Sequence, residues 1–443
     1  MRVASRAPGK IAVSLTVAAV SSTPPRGSQQ MYKAVIASSI GNALEFYDLT
    51  LYLYFATAIS KLFFPTSNPT ISLLLTLGSF GISYLMRPLG AVVLGLYADK
   101  AGRKPALTLS ITLMMVGTLM MVVMPTYESI GILASIGVLV ARLIQGFSVG
   151  GEFGSSTAFM VEHGPTRKGF FASFQFASQG LASVTAALSG FLLSATLSAD
   201  QIAAWGWRLP FAFGLLIGPV GVYIRRSVDE TPEFEASAED GGTSAPVRDL
   251  FVQQWLNILL ATGLVATSTS LNYMISYTPT YAVNQLGLPS WIGFAASFAG
   301  AVMLMTVAPL VGHWSDSVGR TPIMRIVAIA VFLSMLPAFA LLIKAPTLLV
   351  IVPVLVLIGG LKASYSAALP ALMAEIFPTR MRGTGMNVSY NVGVTIFGGF
   401  APFWIEGLIA LTHTPLAPSF FLMFAASVSL VCIVLVRRTF GLR

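Results

Sequence analysis

Charge is scarce in this chain: only 10% of its 443 residues are Asp, Glu, Lys or Arg, whereas 55% are hydrophobic. A soluble domain carries about 25% charged residues because its surface faces water. So few charges on so long a chain cannot cover a water-facing surface, and lipid must be the solvent for much of it. Cysteine is nearly absent: Cys432 alone excludes an intramolecular disulfide and a two-cysteine metal site. The three histidines, His163, His313 and His413, all fall near loops, and no metal or other cofactor is expected. The net charge of +9 would suit nucleic acid if a soluble domain displayed a basic face. Here the charges sit between apolar runs, so no nucleic-acid partner is expected, and lipid is.

Those runs are the dominant feature. Stretches long enough to cross a bilayer, which takes about twenty residues, fall near 34–60, 71–98, 105–125, 130–160, 169–196, 209–225, 254–282, 290–314, 322–343, 347–375, 384–411 and 418–436. Most end at Pro, Gly or charge, where a helix must stop. The expected fold is an all-α membrane protein with twelve transmembrane helices in two pseudo-symmetric six-helix halves. The longest polar interval, 225–249, separates six spans from six. This divides the chain into a tail (1–32), a first bundle (33–226), a linker (227–250), a second bundle (251–437) and a short tail (438–443). Arg2, Arg6 and Lys10 precede the apolar stretch 11–20, which has the outline of a signal peptide. Ten residues are too few to span, and a tail is the favoured expectation.

Orientation follows from the basic residues. Lys100, Arg103, Lys104, Arg167, Lys168, Arg225, Arg226, Arg248, Arg320, Arg325, Arg380, Arg382, Arg437, Arg438 and Arg443 alternate onto one side, while the opposite loops hold only Lys61, Arg208 and Lys344. The positive-inside rule then places both termini in the cytoplasm. Two echoes support duplication. Gly95-Leu-Tyr-Ala-Asp99-Lys-Ala-Gly102-Arg103 returns as Gly312-His-Trp-Ser-Asp316-Ser-Val-Gly319-Arg320, and Glu162-His-Gly-Pro165-Thr166-Arg167 returns as Glu375-Ile-Phe-Pro378-Thr379-Arg380, at offsets of 217 and 213. Internal repeats around a central site are a common plan for secondary transporters.

The Gly95-to-Lys104 segment, G-x-x-x-D-K-x-G-R-K, resembles the loop between helices 2 and 3 of the major facilitator superfamily, and Arg142-Leu-Ile-Gln145-Gly146 resembles its fourth-helix motif. Gly41-Asn-Ala-Leu-Glu45-Phe-Tyr-Asp48, Met86-Arg87-Pro88-Leu-Gly90, Gln145-Gly-Phe-Ser-Val-Gly-Gly-Glu152-Phe, Trp205-Gly-Trp-Arg208-Leu-Pro210 and Asp229-Glu-Thr-Pro232-Glu-Phe234 narrow the resemblance. Together they are similar to the metabolite:proton symporter family of α-ketoglutarate, citrate, shikimate and proline/betaine carriers. That resemblance implies a carrier of the bacterial cytoplasmic (inner) membrane driven by the proton gradient. It also implies gating roles for Gly95, Asp99, Gly102, Arg103 and Lys104, and for Asp316, Gly319 and Arg320 in the second loop. In that loop Ser317 and Thr321 replace basic residues, which points to weaker gating contacts.

Ionisable groups within apolar spans cost about 2.5–3.5 kcal/mol each on insertion scales, so each needs a reason. Glu45 and Asp48 are three apart on one helical face. Glu45 is twelve residues beyond Lys33, about 18 Å at helical rise and near mid-membrane. Two neighbouring carboxylates in hydrocarbon favour proton handling, with Glu152 as a third candidate; the competing role is a structural ion pair with a nearby arginine. Arg87 lies about 18 Å deep by its distance from Asp99, and Arg142 shares a stripe with Gln145, Val149 and Glu152. Guanidinium groups bind carboxylates bidentately; the alternative for Arg87 is a counter-ion for Glu45 or Asp48. Lys362 interrupts 355–369, about 19 Å from Glu375, too deep to snorkel. An excess of buried cations over carboxylates favours a polyanionic ligand, against the alternative that Lys362 pairs with Glu152 or Glu45. Asn272, Tyr273 and Tyr277, then Tyr365, then Asn387, Tyr390 and Asn391 are polar candidates to orient a substrate, or else packing residues with interhelical bonds of about 0.6 kcal/mol.

Gly146-Phe-Ser148-Val-Gly150 matches the G-x-S-x-G nucleophile elbow, but that motif needs a strand–turn–helix and this one lies inside an apolar helix. Close helix packing explains it better, and no enzyme is expected. A channel has no need of duplicated halves with gating loops. The expectation is therefore a monomeric proton-coupled symporter of a small organic anion, citrate-like acids first, with a zwitterionic osmolyte carrier as runner-up.

Overall fold

The computed structural model describes residues 27–101, 103–150, 153, 157, 167–226, 252–378 and 381–442. Among these residues the regular structure is all helical, as a chain solvated by lipid requires: each backbone N–H must find its carbonyl within the segment. Twelve long helical runs result among the described residues. They are α1 (Gly27–Tyr54, resumed after Phe55 as Ala56–Phe63), α2 (Pro69–Ala101), α3 (Arg103–Val123), α4 (Ile132–Val149), α5 (Lys168–Thr196) and α6 (Arg208–Arg226). The second six are α7 (Trp255–Asn284), α8 (Ser290–Val318), α9 (Arg320–Lys344), α10 (Leu348–Ile376), α11 (Arg382–Thr412) and α12 (Ala417–Phe440). Nine of these are long and apolar enough to cross a membrane by themselves within the described residues. A π turn at Thr395–Gly399 interrupts α11. Residues 27–32, expected as tail, are helical, and the 227–250 linker lies outside the described residues.

The distribution of side chains is that of a protein in lipid. Leu349, Leu411, Leu333 and Leu85 face outward, while Arg87, Arg142, Asp48 and Lys362 are buried. Exposed Trp205, Trp255, Trp291 and Trp314 stand near helix ends, where an indole suits the headgroup boundary. The six-helix groups meet along three seams: α5 against α8 and α10, α2 against α11, and α1 against α7.

Prolines inside helices supply some of the polar contacts between helices, within a group of six as well as across a seam. A proline has no N–H, so the carbonyl four residues earlier loses its helical partner. Pro88 frees the Tyr84 carbonyl, and the Thr395 hydroxyl of α11 lies 3.1 Å from it across the divide, sharing its one proton with the Asn391 carbonyl of its own helix at 2.7 Å. Pro279 frees the Ile275 carbonyl, which accepts from Ser297 of α8 at 2.8 Å. The G-x-S-x-G stretch proves to be a packing device. A β-carbon at Gly146 would overlap the Ser83 carbonyl, and one at Gly150 the Arg87 carbonyl. Only glycine lets α2 and α4 approach so closely, and Ser148 spends its hydroxyl on the Gln145 carbonyl of its own helix.

Candidate functional site

The close approach of α2 and α4 gathers a polar cluster inside the first six helices. Gln145 follows Arg142 by three positions and shares its face. Arg142 Nη1 donates to Gln145 Oε1 at 2.7 Å, and Gln145 Nε2 donates to Asp48 Oδ2 of α1 and to Thr118 of α3. One amide thus holds a cation and an anion without their touching. The Arg142 guanidinium lies 4.4 Å from the Tyr52 ring centre and 5.1 Å from that of Phe80; Arg87 lies 3.8 Å over Tyr84. Desolvated cation–π contacts contribute about 2 kcal/mol, less than the insertion penalty of a charge. Among the described residues Arg87, Arg142 and Lys362 make no ion pair. Both arginines keep buried Nε and Nη2 groups without a hydrogen-bond partner among those residues.

Lys362 sits between the two groups of six. It is 1% exposed, donates to Ser268 at 3.2 Å and lies 4.5 Å from the Phe176 ring centre. It faces a central cavity lined also by Phe46 and Gln179 from the first six helices and by Ser268, Thr269, Asn272, Tyr273 and Tyr390 from the second. The cavity has room for about one water. Arg87 stands one layer away: Tyr84, which it covers, shares a hydrogen bond with Tyr273. Tyr390 stacks on Phe153, with ring centres 3.4 Å apart, and its hydroxyl is 3.5 Å from Gln179 Nε2.

Of the substrate candidates, the structure brings Lys362, Asn272, Tyr273 and Tyr390 to the cavity. Tyr277 turns instead to Glu406 of α11, to which its hydroxyl donates, and Tyr365 donates to the Leu264 carbonyl of α7 at 2.9 Å. Asn391 donates to Asn387 and to the Gly150 carbonyl across the divide, so this pair is used in holding α11 against the first bundle. Gln145 and Arg142 belong to the Asp48 cluster. Glu45 is 4% exposed and, with Asp48, borders a separate cavity. Glu152 lies outside the described residues.

At the loop end of the bundle, Asp316 of α8 accepts from the backbone N–H groups of Gly169 and Phe170, at 2.7 and 3.1 Å. A carboxylate against the free N–H groups that start α5 is favoured by charge and by geometry, and here it ties the second six helices to the first. Arg320 braces it at 3.2 Å and reaches Glu375 at 3.6 Å. Gly319 joins α8 to α9 with φ 99°, a left-handed conformation that a side chain resists. Gly95 has open space where a β-carbon would go. Gly102 and the side chains of Asp99, Arg103 and Lys104 lie outside the described residues.

Sequence reasoning passed over Gln179, Ser268, Thr269 and Phe46 at the cavity, the aromatic faces under the cations, and Glu406. Glu406 is 4% exposed in α11, so the rule that singled out Lys362, an ionisable group within an apolar run, applied to it equally.

These features define a class: a multi-pass membrane transporter with a central cavity between two groups of six helices. The Major Facilitator Superfamily model matches residues 35–402, and the chain belongs to that family, among its metabolite:proton symporters. It is 35% identical over 398 residues to the citrate-proton symporter of Klebsiella pneumoniae, covering 89% of each chain. It is 29% identical over 422 residues to the proline/betaine transporter of Escherichia coli strain K12, covering 93% of this chain and 84% of that one. A partially occluded inward-open structure of the xylose transporter XylE from E. coli superposes with a TM-score of 0.72 at 14% identity, over 93% of this chain and 98% of the other. That likeness concerns the twelve-helix fold.

Proposed function

We propose that this protein is a proton-coupled symporter that imports a small organic acid, a di- or tricarboxylate with citrate-like acids first, by alternating access in the bacterial inner membrane. The observation that carries this reading is Lys362: a buried ammonium at the central cavity with no ion pair among the described residues, backed by the Arg87 guanidinium, which likewise makes no ion pair among them. Buried cations without counter-ions are costly, and an arriving polycarboxylate would supply several acceptors at once. The roughly one-third identity to two citrate-proton symporters supports the same substrate class.

Asp48, joined to Arg142 through Gln145, is the group we assign to the coupled proton. The bundles 33–226 and 251–437 rock about the cavity, and the Asp316 contact with α5 breaks in one half of the cycle. Both termini lie in the cytoplasm, and a monomer suffices. A zwitterionic osmolyte remains the second reading, favoured by the aromatic rings of Phe46, Tyr273 and Tyr390 at the cavity, which suit a quaternary ammonium. Uptake of labelled citrate, α-ketoglutarate, shikimate and betaine into proteoliposomes under an imposed proton gradient decides between them. Carboxylate accumulation that collapses with the gradient is expected; uptake of betaine alone would refute the anion reading.

A further inference from the structure

Asp48 has its back to the central cavity. It is 3% exposed, and its Oδ2 accepts from Gln145, whose own oxygen is held by Arg142. Its Oδ1 is buried without a hydrogen-bond partner among the described residues. Asp48 also lines a second cavity, enclosed by α1, α3 and α6, that has room for about three waters. No lining residue is common to the two cavities. Glu45 continues the Asp48 face one turn toward the start of α1, Ile111 lies toward the start of α3, and Gly218 toward the end of α6. The space therefore runs from Asp48 toward the loop end of the bundle, kept open on the α6 side by Gly214 and Gly218.

We propose that this second cavity is a hydrated proton site. Water within it bonds Asp48 Oδ1 and exchanges protons with the loop end of the bundle, by a route that the substrate does not use. The inference rests on the reading that Asp48 carries the coupled proton. A hydronium ion in the cavity gives its proton to the Asp48 carboxylate, leaving a carboxylic acid and a water; release is the reverse. The groups that face Asp48 fit such a station. Arg142 acts on it through Gln145 from α4, Thr118 faces it from α3, and α6 offers only Gly214, Leu215 and Gly218. Glu45 and Tyr47 are the titratable neighbours on its own helix. The lining is mostly apolar, and Asp48, Glu45 and Thr118 are its polar side chains. A carboxylate with one oxygen fixed and the other without a partner among the described residues, beside two further polar groups, gives water there the partners it needs.

Ile111→Phe and Leu215→Phe fill this cavity from two helices without touching the central one. Gradient-driven citrate accumulation should fall at least tenfold in both. Citrate counterflow at equal pH on the two sides, which needs no net proton release, should stay within twofold. Accumulation within twofold of the native rate in both variants, with counterflow intact, overturns the proposal. An arm that needs no filled cavity follows Asp48 itself, as the carboxyl infrared band that Asp48→Asn removes. After a pH jump that band should respond at the same rate whether or not citrate saturates the central cavity; tenfold slowing by citrate would mean that the proton enters by the substrate's path. If Asp48→Asn itself accumulates citrate as the native protein does, the coupling assignment fails, independently of the cavity.

Discussion

Replacing Lys362 by methionine keeps most of the side-chain volume and removes the charge, and the two consequences have opposite signs. Among the described residues the ammonium has one neutral partner, Ser268, at 3.2 Å, and the Phe176 ring face at 4.5 Å. These do not repay its desolvation, so Lys362→Met should leave the melting temperature of the purified carrier unchanged or raise it. In the citrate complex the ammonium gains a carboxylate. A hydrogen bond to a charged group contributes about 1.5–3 kcal/mol, a weakening of about 10- to 160-fold in Kd when it is lost. Binding measured by calorimetry in detergent, with thermal melts at graded citrate, separates the two. A Kd within twofold of the native value would refute the assignment. A fall of several degrees in the citrate-free melting temperature would show that Lys362 has a structural counter-ion instead, because breaking a buried pair is strongly destabilising.

The remaining predictions concern positions around the site. Asp316→Ala removes two backbone caps and the Arg320 brace; caps contribute about 0.5–2 kcal/mol, so a cysteine pair bridging α5 and α8 should cross-link several-fold more slowly. Unchanged cross-linking would mean that the contact does not hold the halves together. Tyr365→Phe should transport normally, since its hydroxyl serves the Leu264 carbonyl, and a tenfold rise in KM would return it to the substrate site. Glu406→Ala should lower the melting temperature by leaving Tyr277 and Gln285 without their acceptor, at about 1–3 kcal/mol, with uptake per folded molecule preserved; a melt matching the native protein would show that the pairing is not structural.

The fold was legible because hydrocarbon imposes one length on every crossing, and the apolar runs meet it. The individual charges were legible for a related reason: a group that costs several kcal/mol stands out among leucines. What the one-dimensional pattern hides is rotation about each helix axis. Tyr365 follows Lys362 by three positions, which leaves it about 60° around the helix, enough to turn it from the central cavity toward α7. Arg142 and Gln145 looked like substrate ligands because their stripe was correctly traced, yet the neighbouring α1 and α3 supply Asp48 and Thr118 to that stripe. Gln179 and Ser268 were hidden for a different reason: uncharged polar side chains are cheap enough in helices to be common.

The hydrogen bond from Thr395 to the Tyr84 carbonyl gives the seam between α2 and α11 an unusual accounting. The acceptor exists only because Pro88 leaves it without a helical donor, so the bond can be exchanged without unwinding a turn. As the two halves part, the hydroxyl keeps the Asn391 carbonyl of its own helix and water entering the widening gap takes over the Tyr84 carbonyl, an exchange worth only about 1 kcal/mol either way. The closed form is thereby specified in register, to within the reach of one hydroxyl, while remaining shallow in energy. A seam made of intact helices and leucines would grip through area alone and slide; this one has a fixed stop that dissolves on wetting.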